Sequence, residues 1–244
     1  MRKYFGTDGI RRIANTELTP ELVYRVAKAG AYVLSKRVNH TPTILIGMDT
    51  RISGTLIESA MTAGFLSYGA NVKLLGVIPT PGVAYLTKKL KADAGVVISA
   101  SHNTYDFNGI KFFSNKGMKI PDDIEEEIEE IMDSNKLSEL TAVKDKIGVS
   151  EIRRDLLDEY LYFFRKNFED EFENLYNDDF VVAIDTANGA TSVIADKVYT
   201  ALGIKHYIIN NTPNGININE NCGSTHLDML KKFVTSNKCD LGIA

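Results

Sequence analysis

From residue 19 onward, short apolar runs alternate with segments whose apolar positions recur at helical spacing. Thr19-Pro20-Glu21 supplies an N-cap, a first-turn proline and an acid, and Leu22, Val23, Val26 and Ala27 follow at the helix period, so a helix starts there. Thr43-Ile44-Leu45-Ile46-Gly47 is an apolar run closed by glycine, the pattern of a strand covered on both faces. Ser59 to Leu66 then reads as helix, Val72 to Leu75 as strand, Val83 to Lys89 as a short helix and Gly95 to Ile98 as a buried strand. This βαβαβ order predicts a parallel sheet with helices on both faces and ligands at the loops leaving the carboxyl ends of the strands.

Pro121 opens the acidic run Asp122 to Ile131, in which Ile124, Ile128 and Ile131 mark an amphipathic helix. Its acids read as a solvated face over a buried isoleucine stripe, with no functional role. A polar segment, Leu137 to Ser150, precedes a helix marked by Leu156, Tyr160, Phe163 and Phe164. The same grammar then repeats: strand Phe180 to Ile184, turn Asp185 to Gly189, helix to about Leu202, strand Lys205 to Ile209, an Asn/Gly-rich loop, helix Leu227 to Val234 and a strand from Asp240. The expected class is α/β, two αβα-sandwich units with mostly parallel mixed sheets. Residues 1–150 form the first and 151–244 the second, which is expected to be incomplete because no element follows its last strand.

Composition changes this picture little. The 244 residues include 28 Lys plus Arg against 32 Asp plus Glu, a net charge of −4, with 44% apolar and 25% charged residues. That is the composition of a folded, soluble chain, and its mild acidity excludes the charge footprint of a nucleic-acid or anionic-membrane binder. Cys222 and Cys239 are too few for a disulfide framework or a zinc site, and a reducing cytoplasm fits them. The opening Met1 to Asp8 has no apolar core of a signal peptide, and no run of about 18 apolar residues occurs, so neither export nor a membrane span is expected.

The chemistry gathers where the strand Val96-Val97-Ile98 gives way to Ser99-Ala100-Ser101-His102-Asn103, with Asn108-Gly109-Ile110-Lys111 close behind. A loop of small residues lets backbone N–H groups approach an anion, and Ser101 at its crest is placed to be a nucleophile. On composition alone the loop also reads as a plain turn with His102 as a polar cap. An adjacent Ser-His pair without a Gly-x-Ser-x-Gly elbow does not make a hydrolase.

Three further motifs change the reading: Phe5-Gly6-Thr7-Asp8-Gly9-Ile10-Arg11, Asp49-Thr50-Arg51-Ile52-Ser53-Gly54 and Ile78-Pro79-Thr80-Pro81-Gly82. With the serine loop, and with Asp185 to Ala190, Gly215 to Asn219 and Cys222 to His226, the sequence resembles the α-D-phosphohexomutase superfamily along nearly its whole length. The resemblance implies an intramolecular phosphotransferase of the isomerase class that interconverts glucosamine 6-phosphate and glucosamine 1-phosphate for cell-wall precursors. Phosphoserine 101 would donate its phosphoryl group to form a sugar bisphosphate and then take back the other phosphate. Arg11 and Lys111 would be the active-site cations, and Lys111 or His102 would assist proton transfer. Mg²⁺ would bind Ser101 through its phosphate, together with aspartates of an Asp-Gly-Asp-Gly-Asp-Arg loop that this sequence does not contain. Neither Asp122-Asp123 nor Asp178-Asp179 has the character of that ligand set. The same likeness implies a phosphosugar as partner, leaves room for a homodimer, and makes this stretch the N-terminal half of a mutase, inactive alone.

The sequence departs from the superfamily pattern at Thr104, where proline is usual, at Phe107, at Arg12, where glycine is usual, and at Leu227. Thr104 is expected to loosen the serine loop, because proline fixes φ. Two rivals stay open: a phosphomannomutase or phosphoglucomutase, and a non-catalytic sugar-phosphate binder on doubly wound sheets. The latter draws on the Gly-rich loops, although no Gly-x-Gly-x-x-Gly follows any strand.

Overall fold

The computed structural model describes residues 3–36, 38–173 and 180–244, apart from the side chains of 169–173, so Asp178-Asp179 lies outside the described residues. Strand β2 (Thr43–Met48) explains the layering. Ile44 and Ile46 point to one side, into a cluster with Val26 of helix α1 (Pro20–Ser35), Phe65 of α2 (Gly54–Tyr68) and Ile128 of α4 (Asp122–Asp133). Leu45 points to the other, against Val83 and Leu86 of α3 (Thr80–Lys89) and Leu156 at the head of α6 (Leu156–Glu173). The strand alternation thus fills two cores, one per face, and each fully buried Ile, Leu or Phe contributes about 1.5–3 kcal/mol.

The six-stranded sheet runs β1-β5-β4-β2-β3-β6, built from β1 (Ile10–Ile13), β5 (Phe107–Ser114), β4 (Ala94–Ile98), β2, β3 (Asn71–Val77) and β6 (Ser150–Ile152). Strands β4, β2, β3 and β6 are parallel, while β5 runs antiparallel to both β1 and β4. Thr19 caps α1 as its sequence predicts, its hydroxyl accepting from Leu22 N at 3.3 Å. A short helix α5 (Lys136–Glu139) follows α4.

The second sheet is β8-β7-β9, all parallel, from β8 (Lys205–Ile209), β7 (Val181–Asp185) and β9 (Leu241–Ile243). Helices α7 (Ala195–Ala201) and α8 (Asp228–Ser236) accompany it. The expected helix after Gly189 opens instead as a 3₁₀ turn, Ala190–Val193, before α7. Contacts of the first sheet reach past residue 150, since β6 pairs with β3. Tyr160 and Phe163 of α6 pack against Tyr85 of α3 with tilted rings, centroids 5.9 and 4.6 Å apart.

Candidate functional site

Antiparallel pairing of β4, β5 and β1 draws the predicted cations to one place. Arg11 lies opposite Gly109, and Ser99 donates its N–H to Gly109 O at 3.0 Å from the other side. Strand alternation puts Arg11, Gly109, Ser99 and Lys111 on one face. A Cβ on Gly109 would lie 2.5 Å from Ile10 O and 2.7 Å from Ser99 O, so only glycine permits this approach.

Ser101 sits at the crest of the loop, exposed, with φ +57°, a conformation that costs a non-glycine residue about 1–2 kcal/mol. Hydrogen bonds hold it there. Its N–H donates to Ser99 Oγ at 3.1 Å, so Ser99 is a support at the strand end. Its carbonyl accepts from Arg51 Nη2 at 3.0 Å.

Arg51 is 3% exposed, and all five of its guanidinium N–H groups are used. Nε donates to Asp49 Oδ2 at 2.9 Å, Nη2 to Ser101 O and, at 2.9 Å, to Asn103 O, and Nη1 to Phe107 O at 3.1 Å and to Thr104 O. Burial pushes the guanidinium below its ordinary value and the Asp49 carboxylate opposes this, so it stays charged. At Thr104, where the missing proline was expected to loosen the loop, the carbonyl is tied to this buried cation.

Lys111 Nζ pairs with Asp8 at 2.5 Å, and Arg11 Nη1 donates to Asn103 Oδ1 at 3.0 Å. His102 is exposed and makes no hydrogen bond among the described residues. Gly9 turns the opening motif at φ +80°, where a Cβ would fall 2.3 Å from Ile110 O. The main-chain N–H groups of Lys3, Tyr4 and Phe5 all donate to the Glu129 carboxylate, at 2.7, 2.6 and 2.7 Å. This corrects the expectation of a purely solvated acidic face on α4: Glu129 is 9% exposed and anchors the segment leading to Arg11, while Glu125, 1% exposed, pairs with Lys119 at 3.0 Å. Arg12 donates to Lys3 O at 3.0 Å. An open depression of about 420 Å³ lies along this segment, lined by Gly6, Asp8, Arg11 and Arg12 among others. Another, of about 560 Å³, opens at the far end of the sheet beside Pro42, Asn71 and Val149, away from every group named here.

The loops of the second sheet close on the same region. Asp185 accepts from Ala187 N at 2.9 Å, Asn210 Nδ2 at 3.0 Å and Gly223 N at 2.8 Å, tying three loops to the end of β7. Thr50 Oγ1 donates to Asn188 O at 2.5 Å, Ile52 N to Gly215 O at 2.8 Å, and Asn219 Nδ2 reaches the serine loop itself. Burial, with Asp185 and Glu220 nearby, pushes the Cys222 thiol up to about 11, which disfavours the thiolate form. Among the described residues no three His, Cys, Asp or Glu side chains converge as a metal site.

Ser101 and His102 thus lie in the loop that follows β4, and Arg11 on β1 and Lys111 on β5 lie on one face of the same sheet, an arrangement that puts an exposed hydroxyl and two cations at one end of the sheet. Sequence reasoning missed the bracing by Arg51, the pairing of Asp8 and the reach of Asn219. An Arg two residues after Asp at a strand end was the only local sign of the first.

A family model described as phosphoglucomutase/phosphomannomutase, alpha/beta/alpha domain I, matches residues 2–139. Among curated relatives, the phosphoglucosamine mutases of Acetivibrio thermocellus and Clostridium tetani are 49% and 47% identical over 244 residues. Each match covers 100% of this chain and 53% of the relative, so the chain spans about half the length of the relatives it matches. The fold is similar to a crystal structure of a phosphoglucomutase/phosphomannomutase family protein from Burkholderia thailandensis, with a TM-score of 0.79 at 18% identity over 99% of this chain and 52% of that one. It also resembles Aspergillus fumigatus N-acetylphosphoglucosamine mutase in complex with GlcNAc-6P and magnesium, with a TM-score of 0.53 at 13% identity over 95% of this chain and 45% of that one.

Proposed function

Because this chain belongs to the phosphoglucomutase/phosphomannomutase family, we propose that it forms the phosphoryl-carrying part of an enzyme that interconverts glucosamine 6-phosphate and glucosamine 1-phosphate. The observation that carries this reading is Ser101, an exposed hydroxyl on a backbone fixed by several hydrogen bonds, in the loop after β4, with Arg11 on β1 and Lys111 on β5 of the same sheet. The choice of sugar is supported by the near-50% identity to phosphoglucosamine mutases. The two units, 1–150 and 151–244, are part of the same reading, with β6 and α6 as the link between them.

In the first half-reaction the C1 hydroxyl of glucosamine 6-phosphate attacks the phosphorus on Ser101. The Oγ–P bond breaks, the hydroxyl proton leaves for His102 and returns to Ser101 Oγ, and the product is the 1,6-bisphosphate. After this intermediate reorients, Ser101 Oγ attacks the 6-phosphoryl group by the same chemistry and releases glucosamine 1-phosphate. Arg11 and Lys111 stabilise charge on the transferring oxygens, the main requirement of such a step. Lys111 is already paired with Asp8, which supports an electrostatic role and leaves His102 as the free proton carrier.

Mg²⁺ belongs to this reading as a charge neutraliser against the Ser101 phosphate. The described aspartates at the site do not fit a divalent ion, since Asp8 is bonded to Lys111, Asp49 to Arg51 and Asp185 to three N–H donors. A cytoplasmic setting and a homodimer complete the reading. Among the described residues no helix is long and apolar enough to cross a membrane.

The test is turnover by the complete polypeptide with Mg²⁺ and bisphosphate activator. Glucosamine 6-phosphate should exceed mannose and glucose 6-phosphates by about tenfold or more in kcat/KM, the size of one well-recognised polar group. Equal or higher activity on either rival sugar would make the enzyme a phosphomannomutase or phosphoglucomutase. Failure of every sugar would favour a binding protein.

A further inference from the structure

Two carbonyls of the serine loop are each approached from both halves of the molecule. Ser101 O accepts from Arg51 Nη2 at 3.0 Å and from Asn219 Nδ2 at 2.8 Å, and Asn103 O accepts from the same two groups at 2.9 and 2.8 Å. An amide NH₂ has two hydrogens, and both are used here, one on each carbonyl. Among the described residues no other side chain of the second-sheet half hydrogen-bonds this loop. The hydrogen bonds that the loops of the second sheet make through Asn188 and Gly215 go instead to the turn at Thr50 and Ile52.

Asn219 is itself fixed. Its φ is +59°, a conformation asparagine tolerates better than most residues, and its N–H donates to Ala187 O at 2.9 Å. Ala187 is tied in turn to the Asp185 carboxylate. A continuous path therefore runs from the end of β7 through Asp185, Ala187 and Asn219 to the backbone of Ser101, a backbone in a conformation that persists only where its surroundings over-determine it.

We propose that Asn219 is a positioning residue for the reactive serine: it sets the loop geometry from the second-sheet half, and so couples phosphoryl transfer on Ser101 to the seating of that half. The kinetic side of this inference rests on the role given to Ser101 above; the structural side does not. Only a side-chain amide of this length suffices. Asn219→Asp keeps the shape but turns a carboxylate toward two carbonyl oxygens, and Asn219→Ala removes both donors. Because Asn219 is half-buried and Arg51 still holds both carbonyls, neither change strands a buried group.

The experiment compares wild type, N219A, N219D and N217A of the complete polypeptide. Asn217 belongs to the same loop, donating to Thr212 O at 3.0 Å, and among the described residues makes no hydrogen bond to the serine loop. In both Asn219 variants deuterium uptake should rise in peptides spanning 99–107 and stay unchanged in β7. In N219A kcat should fall about tenfold, in N219D further, with KM within about threefold, and the rate of Ser101 phosphorylation by glucosamine 1,6-bisphosphate should fall with kcat. N217A should leave uptake at 99–107 as in wild type. Unchanged loop uptake in N219D, an equal rise in β7, or the same loop effect in N217A would each overturn the proposal. The uptake measurement needs no substrate. Should wild type take no phosphate on Ser101, the predicted uptake pattern would still support positioning by Asn219, and the failure would belong to the role of Ser101.

Discussion

The two sheets are stabilised by different means. Around the six-stranded sheet, Phe65, Phe112, Ile44, Ile46 and Leu45 are fully enclosed between helices on both faces. Around the three-stranded sheet, Val182, Ala183 and Ile184 of β7 are buried but Tyr207 is exposed, and the loops are knit by side-chain hydrogen bonds, most of them to main chain: Asp185 accepts from Ala187 N, Gly223 N and the Asn210 amide, Asn188 Oδ1 from Thr212 N at 3.0 Å, and Asn214 Oδ1 from Ile216 N and Asn217 N, each at 3.0 Å. Apolar burial is additive and tolerant of detail, whereas such bonds depend on single atoms and leave orphaned donors when one is lost. The difference explains the division of labour at the site. Arg11 and Lys111 stand on strands of the apolar half, and the loop between them takes its final bonds from the polar half.

The largest effects that would break this contrast are on stability. Phe112→Ala, which empties space against Phe5 and Gly30, should cost about 3–5 kcal/mol and lower the denaturant midpoint of the six-stranded half. Asp185→Ala should cost about 1–3 kcal/mol, and its increased amide exchange should be confined to the loops at Ala187, Asn210 and Gly223. If Asp185→Ala melted both halves together, the two regions would be one cooperative unit and the contrast would fail. A smaller effect, read in kinetics, sharpens the same point. Alanine at Arg11 or at Lys111 should lower kcat/KM by about 10²-fold, roughly 2.7 kcal/mol, with little change in Tm, because both are placed by the strands and support none of the core. Near-wild-type kinetics in both variants would make them surface charges.

Much of this was legible in the chain and some was not, for identifiable reasons. The buried parallel strands announced themselves as unbroken apolar runs, and Thr19 capped its helix as its neighbours predicted. Strand β5 opens on Phe107-Asn108-Gly109 and β1 carries two arginines, so neither matched an apolar or alternating template. They exist through pairing with each other and, for β5, with β4. Helix α2 begins at Gly54, before its apolar face becomes recognisable at Ser59. The resemblance named Ser101, Arg11, Lys111 and His102 through its motifs. The work of Glu129, Arg51 and Asn219 was not legible, since each bonds main chain far away in sequence and main-chain partners leave no trace in residue identity.

The most direct measurement is the site of covalent phosphate. After incubation of the complete polypeptide with glucosamine 1,6-bisphosphate, intact mass and peptide mapping should find one phosphate on Ser101. Ser99 should carry none, because its Oγ accepts from Ser101 N and its backbone is paired to Gly109. Ser101→Ala should abolish both the label and turnover without loss of folding. Phosphate on Ser99 with none on Ser101, or turnover surviving in the alanine variant, would contradict the account.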